Sequence, residues 1–167
     1  MLKVFFHNWK KSLIILFSAL FLTACGNDKQ TGAAEVKWDR DTCERCQMML
    51  SDRNFSAQVR VFPEGKRSRV YKFDDMGCAV LWLNSEGLDT QAYKADPKTE
   101  IWVNNYKTDD WINAEQSWFI KGQTTPMNYG LGAQPDKVDG ALNYEQAVEH
   151  IYEVEETFNI HGGNLEH

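Results

Sequence analysis

The sequence predicts an α+β fold in which small antiparallel sheets are combined with helices. Three observations support this: a hairpin pattern across residues 55–73, strand-like runs at 101–103 and 117–120, and a helical period that begins at Asn143. The predicted order along the chain is strand, strand, helix and strand, followed by strands, a loop and a helix. This order is typical of the α+β class. The order is also compatible with two ββαβ-type units, near 38–105 and 106–161, within one domain of residues 38–161, followed by a tail at 162–167.

The first hairpin and the helix after it are predicted from local patterns. Apolar and polar residues alternate over most of 55–62, as in a half-buried strand, and 68–73 forms the second arm after a turn containing Pro63 and Gly65. Asp74 and Asp75 then precede the apolar run 76–83, which predicts an aspartate N-cap on a short buried helix. The alternative interpretation of this pair is acid–base chemistry or a hard-metal ligand.

The second half ends in an amphipathic helix. Residues 122–132 contain one proline and three glycines, which predicts an irregular loop through most of that segment. Asn143 can cap the following helix, and Gln146 occupies the reciprocal position of a capping box. The predicted apolar face of this helix consists of Tyr144, Ala147, Val148, Ile151 and Phe158.

The N-terminus has the pattern of a lipoprotein signal peptide. Three lysines precede the apolar run 13–22, which is too short for a membrane span, and the run leads into Leu-Thr-Ala-Cys-Gly at 22–26, which resembles a bacterial lipobox. We expect residues 1–24 to be removed, Cys25 to carry the lipid, and residues 25–37 to form a flexible tether. Gly26 after the cysteine favours attachment to the outer membrane of a Gram-negative host, with the domain facing the periplasm.

The mature chain is acidic and has an odd number of thiols. Removing residues 1–24 takes away three lysines and no acids, so the formal charge changes from −6 to −9 over the remaining 143 residues. This charge argues against nucleic acid or anionic lipid surfaces as partners. Apart from Cys25, three cysteines remain, Cys43, Cys46 and Cys78, so at least one must be free, metal-bound or paired with another molecule.

Two thiols and a thioether lie within six residues, at Cys43, Cys46 and Met48. Soft sulfur ligands of this kind suit Cu(I), and a thioether holds the ion without competition from protons. Core packing is the commoner use of methionine, however, and it remains an alternative for Met48 and for its neighbour Met49.

Other uses of the Cys-x-x-Cys spacing have weaker support. Haem attachment requires His after the second cysteine, where this chain has Gln47. Structural zinc lacks a second pair, since the remaining ligands are Cys78 and three C-terminal histidines, His150, His161 and His167. A redox site normally follows a strand, whereas this motif precedes the first one. Redox catalysis and a structural disulfide remain alternatives, and no other catalytic motif is present, so we expect a binding protein and not an enzyme.

Four segments together resemble the NosL family, the accessory lipoproteins of nitrous oxide reductase. They are Cys43-x-x-Cys46-x-Met48, Phe-Ser-Ala-Gln at 55–58, Phe-Asp-Asp-Met-Gly-Cys at 73–78, and Thr-Pro-Met at 125–127, in this order behind a lipobox. Asn128 departs from the family pattern, which has Gly there.

The resemblance implies a membrane-anchored periplasmic protein that binds one Cu(I) per monomer and supplies copper to the copper–sulfide centre of that reductase. It implies Cys43, Cys46, Met48 and, from a distant loop, Met127 as the ligands. A periplasmic thiol–disulfide oxidoreductase acting through Cys43 and Cys46, or a copper-buffering lipoprotein without a dedicated client, are the alternative functions.

Overall fold

A four-stranded antiparallel sheet forms the centre of the protein. In a computed structural model, which describes residues 31–85 and 87–158, its strands are β1 (Ala57–Val61), β2 (Arg69–Phe73), β3 (Glu100–Asn104) and β4 (Trp111–Asn113), in the order β2-β1-β3-β4. A second sheet pairs β5 (Trp118–Ile120) with β6 (Gly132–Gln134). The helices are α1 (Met76–Leu83), α2 (Leu88–Ala95) and α3 (Tyr144–Phe158), and a 3₁₀ turn spans Ala114–Gln116.

The predicted α+β class is therefore confirmed, and so are most of its elements. The hairpin pairs Ala57 with Phe73 and Val61 with Arg69, close to the predicted arms. The predictions missed α2, β4 and β6. Because β4 lies beyond residue 105 and pairs with β3, the first sheet uses residues from both sides of the division near 105 that the sequence suggests.

Strand β1 is buried on both faces, which the alternating pattern did not predict. Ala57, Val59 and Val61 belong to the apolar core. Gln58 and Arg60 alternate with these residues along the strand, and their side chains form hydrogen bonds with Ala34 and Gly32. The polar residues of this central strand are therefore covered by protein and not by water.

The segment that covers these polar side chains, residues 32–36, belongs to the predicted tether. The Gln58 side-chain amide accepts a hydrogen bond from Ala34 N at 2.8 Å and donates one to Ala34 O at 2.9 Å. Arg60 Nε donates to Gly32 O at 2.7 Å, and Val36 is buried. Residues 32–36 are thus attached to the sheet, and the packed part of the chain begins before Trp38.

Helix α3 begins with the predicted capping box. Asn143 Oδ1 accepts from Gln146 N at 2.9 Å, and Gln146 Oε1 accepts from Asn143 N at 3.0 Å. Ala147 and Ile151 are buried as predicted, but Phe158, which was predicted to belong to the apolar face, is 70% exposed. Within 31–85 and 87–158, no helix has the length and apolar character needed to cross a bilayer. The predicted signal peptide, Cys25 and the tail at 162–167 lie outside the described residues.

Candidate metal centre

A tight loop at residues 43–48, here called the sulfur loop, presents the first two thiols. Thr42 and Met49 form a bridge at its base, Cys43 N donates to Met48 O at 2.8 Å, and Gln47 N donates to Cys43 O at 3.0 Å. Gln47 has φ of 62°, the left-handed conformation that closes such a loop. A bond from Glu44 N to Lys72 O, 2.9 Å long, attaches the loop to the free edge of β2.

The end of β2 and the start of α1 supply two more groups. Asp74 and Asp75 connect the two elements, and Asp75 caps the helix by accepting from Gly77 N at 2.9 Å, as predicted. Cys78 lies in the first turn of α1 and is fully buried. Since Asp74 and Cys78 are four residues apart across the helix start, their side chains are placed near one another and near the sulfur loop.

The ligand atoms of four residues converge here: the Sγ atoms of Cys43, Cys46 and Cys78 and a carboxylate oxygen of Asp74 all lie within 4.8 Å of one another. We call this group the thiol cluster. Cys46 Sγ donates to Asp74 Oδ2 at 3.3 Å. Asp74 is 2% exposed, and its other oxygen, Oδ1, has no hydrogen-bond partner among the described residues. The arrangement has the composition and size of a metal-binding site.

The three thiols differ strongly in acidity. A hydrogen bond from the Cys78 thiol lowers the pKa of Cys43 to about 7 against the opposing effect of burial. Donating that bond, together with burial, raises the pKa of Cys78. Burial raises the pKa of Cys46 to about 12. In the metal-free protein, the thiolate therefore forms first at Cys43.

An ionic network connects the sulfur loop to α3. Arg45, between the two cysteines of the loop, lies 3.1 Å from Glu155 Oε1, and the Tyr129 hydroxyl donates to Glu155 Oε2 at 2.6 Å. Glu155 is 9% exposed and follows Ile151 by one helical turn on the buried face. The spacing of Glu155 from Ile151, one helical turn, is the sequence signal that would have indicated a buried carboxylate on this helix.

Asp75 holds the loop that carries Met127. Its Oδ2 accepts from the Thr125 hydroxyl at 2.6 Å and from Met127 N at 3.2 Å. Asn128 has φ of 60°, so it adopts the left-handed conformation for which asparagine is suited. Burial raises the pKa of Asp75 to about 6. Adjacent aspartates thus bind the two predicted ligand segments: Asp74 binds the sulfur loop and Asp75 the Thr-Pro-Met loop.

The predicted ligands occupy different environments. Cys43 and Cys46 lie in the thiol cluster, while Met48 and Met49 are 49% and 53% exposed and therefore are not core residues. Met127 is partly buried against the core. The predicted Cu(I) ligand set did not include Cys78 or Asp74, which the sequence offered only as a possible zinc ligand and a possible hard-metal ligand. The four-residue spacing across the predicted helix start would have placed these two side chains together.

The fold and the site define an α+β protein with a thiol-rich candidate metal centre. A scan against protein-family models and a search of the curated proteins each give no match. Among solved structures, the chain is similar to the crystal structure of the copper chaperone NosL from Shewanella denitrificans, with 19% identity and a TM-score of 0.45 over 71% of this chain and 87% of that chain.

Proposed function

We propose that this chain is a copper carrier that binds one Cu(I) and delivers it for assembly of the copper–sulfide centre of nitrous oxide reductase. The proposed ligands are Cys43, Cys46, Met48 and Met127. The observation that supports this most directly is the pair of adjacent aspartates, which binds Cys46 through Asp74 and the backbone of Met127 through Asp75. Two segments about eighty residues apart are thereby attached to the same short turn.

The donor atoms fit Cu(I) and its transfer. Thiolate and thioether are soft ligands, and Cu(I) is satisfied by few of them, so a partner's ligand can enter before a donor leaves. Cys43 is fully buried, whereas the thioether of Met48 is half-exposed. We infer that Cys43 retains the ion and that Met48 is the first ligand to exchange.

A thiol–disulfide oxidoreductase fits the same site less well. Such an enzyme needs an accessible thiol with a lowered pKa as its nucleophile. Here the thiol with the lowered pKa, Cys43, is inaccessible, and the more accessible thiol, Cys46, has its pKa raised by burial. The distribution of acidity and exposure is therefore the reverse of what redox catalysis requires.

Membrane attachment belongs to the same proposal. Lipid on Cys25 would hold the protein at a bacterial membrane facing the periplasm, in a Gram-negative cell at the outer membrane. The nitrous oxide reductase client comes from the motif resemblance, and transfer to that enzyme has to be measured directly.

An anaerobic Cu(I) titration of the reduced mature protein, with a competing chelator, tests binding. We expect one tight equivalent, and Met48→Leu and Met127→Leu should each weaken it by about tenfold or more, or ~1.4 kcal/mol. Met49→Leu is the matched control, since Met49 is adjacent and equally exposed, and it should bind normally. No uptake of Cu(I), or identical losses in all three variants, contradicts the proposed ligand set.

Delivery is tested by mixing the copper-loaded protein with copper-free nitrous oxide reductase or its assembly machinery. Transfer faster than the spontaneous release of Cu(I) to a chelator of equal affinity supports a dedicated client. Transfer no faster than that release indicates the copper-buffering alternative.

A further inference from the structure

One face of the first sheet holds residues 32–36, here called the strap, through main-chain atoms. Gln58 lies fully buried on this face, and its side-chain amide accepts from Ala34 N at 2.8 Å and donates to Ala34 O at 2.9 Å. A primary amide used in this way reproduces the pair of hydrogen bonds that two residues exchange in an antiparallel ladder. The Gln58 side chain therefore takes the place of a neighbouring strand.

The other contacts of the strap follow the same pattern. Gly32 N donates to Glu100 Oε2 at 2.7 Å, and Gly32 O accepts from Arg60 Nε at 2.7 Å. Glu35 O accepts from Lys72 Nζ at 2.7 Å. Five main-chain groups of the strap are thus bound by side chains of β1, β2 and β3.

The spacing of these contacts shows that the strap is extended. Arg60 and Gln58 lie two residues apart on one face of β1, and they bind Gly32 and Ala34, which are also two residues apart. Two residues of an extended chain span about 6.6 Å, the same step as along a strand. The strap therefore runs antiparallel to β1 and lies over its face.

The side chains of the strap contribute little to this recognition. The Glu35 side chain is exposed, Ala33 and Ala34 carry only methyl groups, and Val36 is the one buried residue of the five. Gly32 has φ of 82°, a left-handed conformation that favours glycine. The face therefore recognises a main-chain conformation and not a particular sequence.

The groups that hold the strap are polar. Gln58, Arg60, Glu100 and Lys72 can all form hydrogen bonds with water if the strap leaves. Release of residues 32–35 would therefore return polar groups to water and would not uncover core side chains.

We propose that this face of the sheet is a binding groove for an extended peptide main chain, and that the strap is its ligand, separable from the folded domain. The groove uses none of the proposed copper ligands, so it exists whether or not the chain carries Cu(I). A peptide of the same length and a different sequence should enter the groove when the strap is disabled.

Peptide binding to a variant with a disabled strap tests the proposal. Ala34→Pro removes the N–H group that donates to Gln58, so the strap of the full mature chain should leave the groove. An end-blocked peptide of residues 31–36 should then shift the side-chain amide resonance of Gln58 saturably in ¹⁵N NMR spectra. The wild-type chain should bind this peptide about tenfold or more weakly, because its own strap competes at high effective concentration.

Two altered peptides separate main-chain recognition from side-chain recognition. A peptide with Ala33→Ser and Glu35→Gln should bind within about threefold of the native sequence. A peptide N-methylated at Ala34 lacks the same donor as the proline variant and should not bind. The absence of a saturable shift, equal binding of the N-methylated peptide, or loss of binding with the two side-chain changes overturns the proposal.

Hydrogen exchange of the wild-type chain gives a second test that needs no disabled strap. We expect the amides of Gly32 and Ala34 to exchange through local opening, faster than the amides of β1. Gln58→Met removes both hydrogen bonds and should accelerate exchange at Ala34 by about tenfold or more, whereas the exposed Gln91→Met should not. Strap amides that exchange only as slowly as β1, through global unfolding, would overturn the idea of a separable ligand.

Discussion

Replacement of Gly77 by alanine is the sharpest test of how the Thr-Pro-Met loop is held. A Cβ atom at this position would lie 2.0 Å from Tyr129 Cδ2 and 2.3 Å from its Cγ. These atoms belong to the body of the ring, so no rotation of a flexible chain end relieves the overlap. Tyr129 is 1% exposed and its hydroxyl is bonded to Glu155 at 2.6 Å, so the ring has no free space into which it can move.

Three terms set the expected loss of stability for Gly77→Ala. Helical alanine is favoured over glycine by about 1 kcal/mol. Overpacking a core costs about 1–3 kcal/mol, and displacing the ring gives up a hydrogen bond to a carboxylate, worth about 1.5–3 kcal/mol. The net destabilisation is therefore roughly 1.5–5 kcal/mol, opposite in sign to the effect at an unobstructed helical position.

Urea denaturation followed by circular dichroism measures this difference, and a double-mutant cycle identifies its cause. In a Tyr129→Ala background the obstruction is absent, so the same Gly77→Ala change should be neutral or stabilising by up to about 1 kcal/mol. Equal destabilisation in both backgrounds would show that the ring is not packed against Gly77 and would refute the reasoning. Because the loop also carries Met127, Gly77→Ala should lower Cu(I) affinity as well.

Three further substitutions test other contacts. Glu155→Gln removes the carboxylate facing Arg45 and should cost about 1–3 kcal/mol, whereas the exposed Glu153→Gln should cost nothing measurable; equal effects would exclude a specific pair. Asn143→Ala should cost about 1 kcal/mol through loss of the helix cap, and an unchanged urea midpoint would contradict that role. The hydrogen bond from Lys72 lowers the pKa of Asp41, so this pair stabilises the fold above the ordinary aspartate pKa and is lost as pH falls through the lowered one. The stability difference between wild type and Asp41→Asn should therefore shrink below about pH 4, and a difference independent of pH would refute the pairing.

Local signals predicted the elements whose formation depends on neighbouring residues. The hairpin arms, the Asp75 cap and the Asn143 capping box all involve partners within a few positions or a short turn, and all three are confirmed. Helix α2 was missed because its sequence, Leu-Asp-Thr-Gln-Ala-Tyr-Lys-Ala, is short and has little apolar content. Tertiary packing stabilises such an element more than its intrinsic propensity does.

The site could be predicted only in part, for a related reason. Cys43 and Cys46 were found because the motif places them three residues apart. The contributions of Cys78 and Asp74 depend on how β2 and α1 approach the sulfur loop, which no local pattern specifies. Burial of Gln58 depends in the same way on the segment at 32–36, since the alternation of β1 does not indicate what covers its polar face.

If Cys25 carries a lipid, as proposed, the attachment of Gly32 to the sheet would limit how far the domain can move from the membrane. With lipid on Cys25, seven residues separate the bilayer surface from the first docked position, and a fully extended chain of that length spans about 25 Å. A free segment up to Trp38 would have allowed about 45 Å. Under the proposed lipidation of Cys25, a recipient of the metal would therefore have to meet the domain close to the membrane surface.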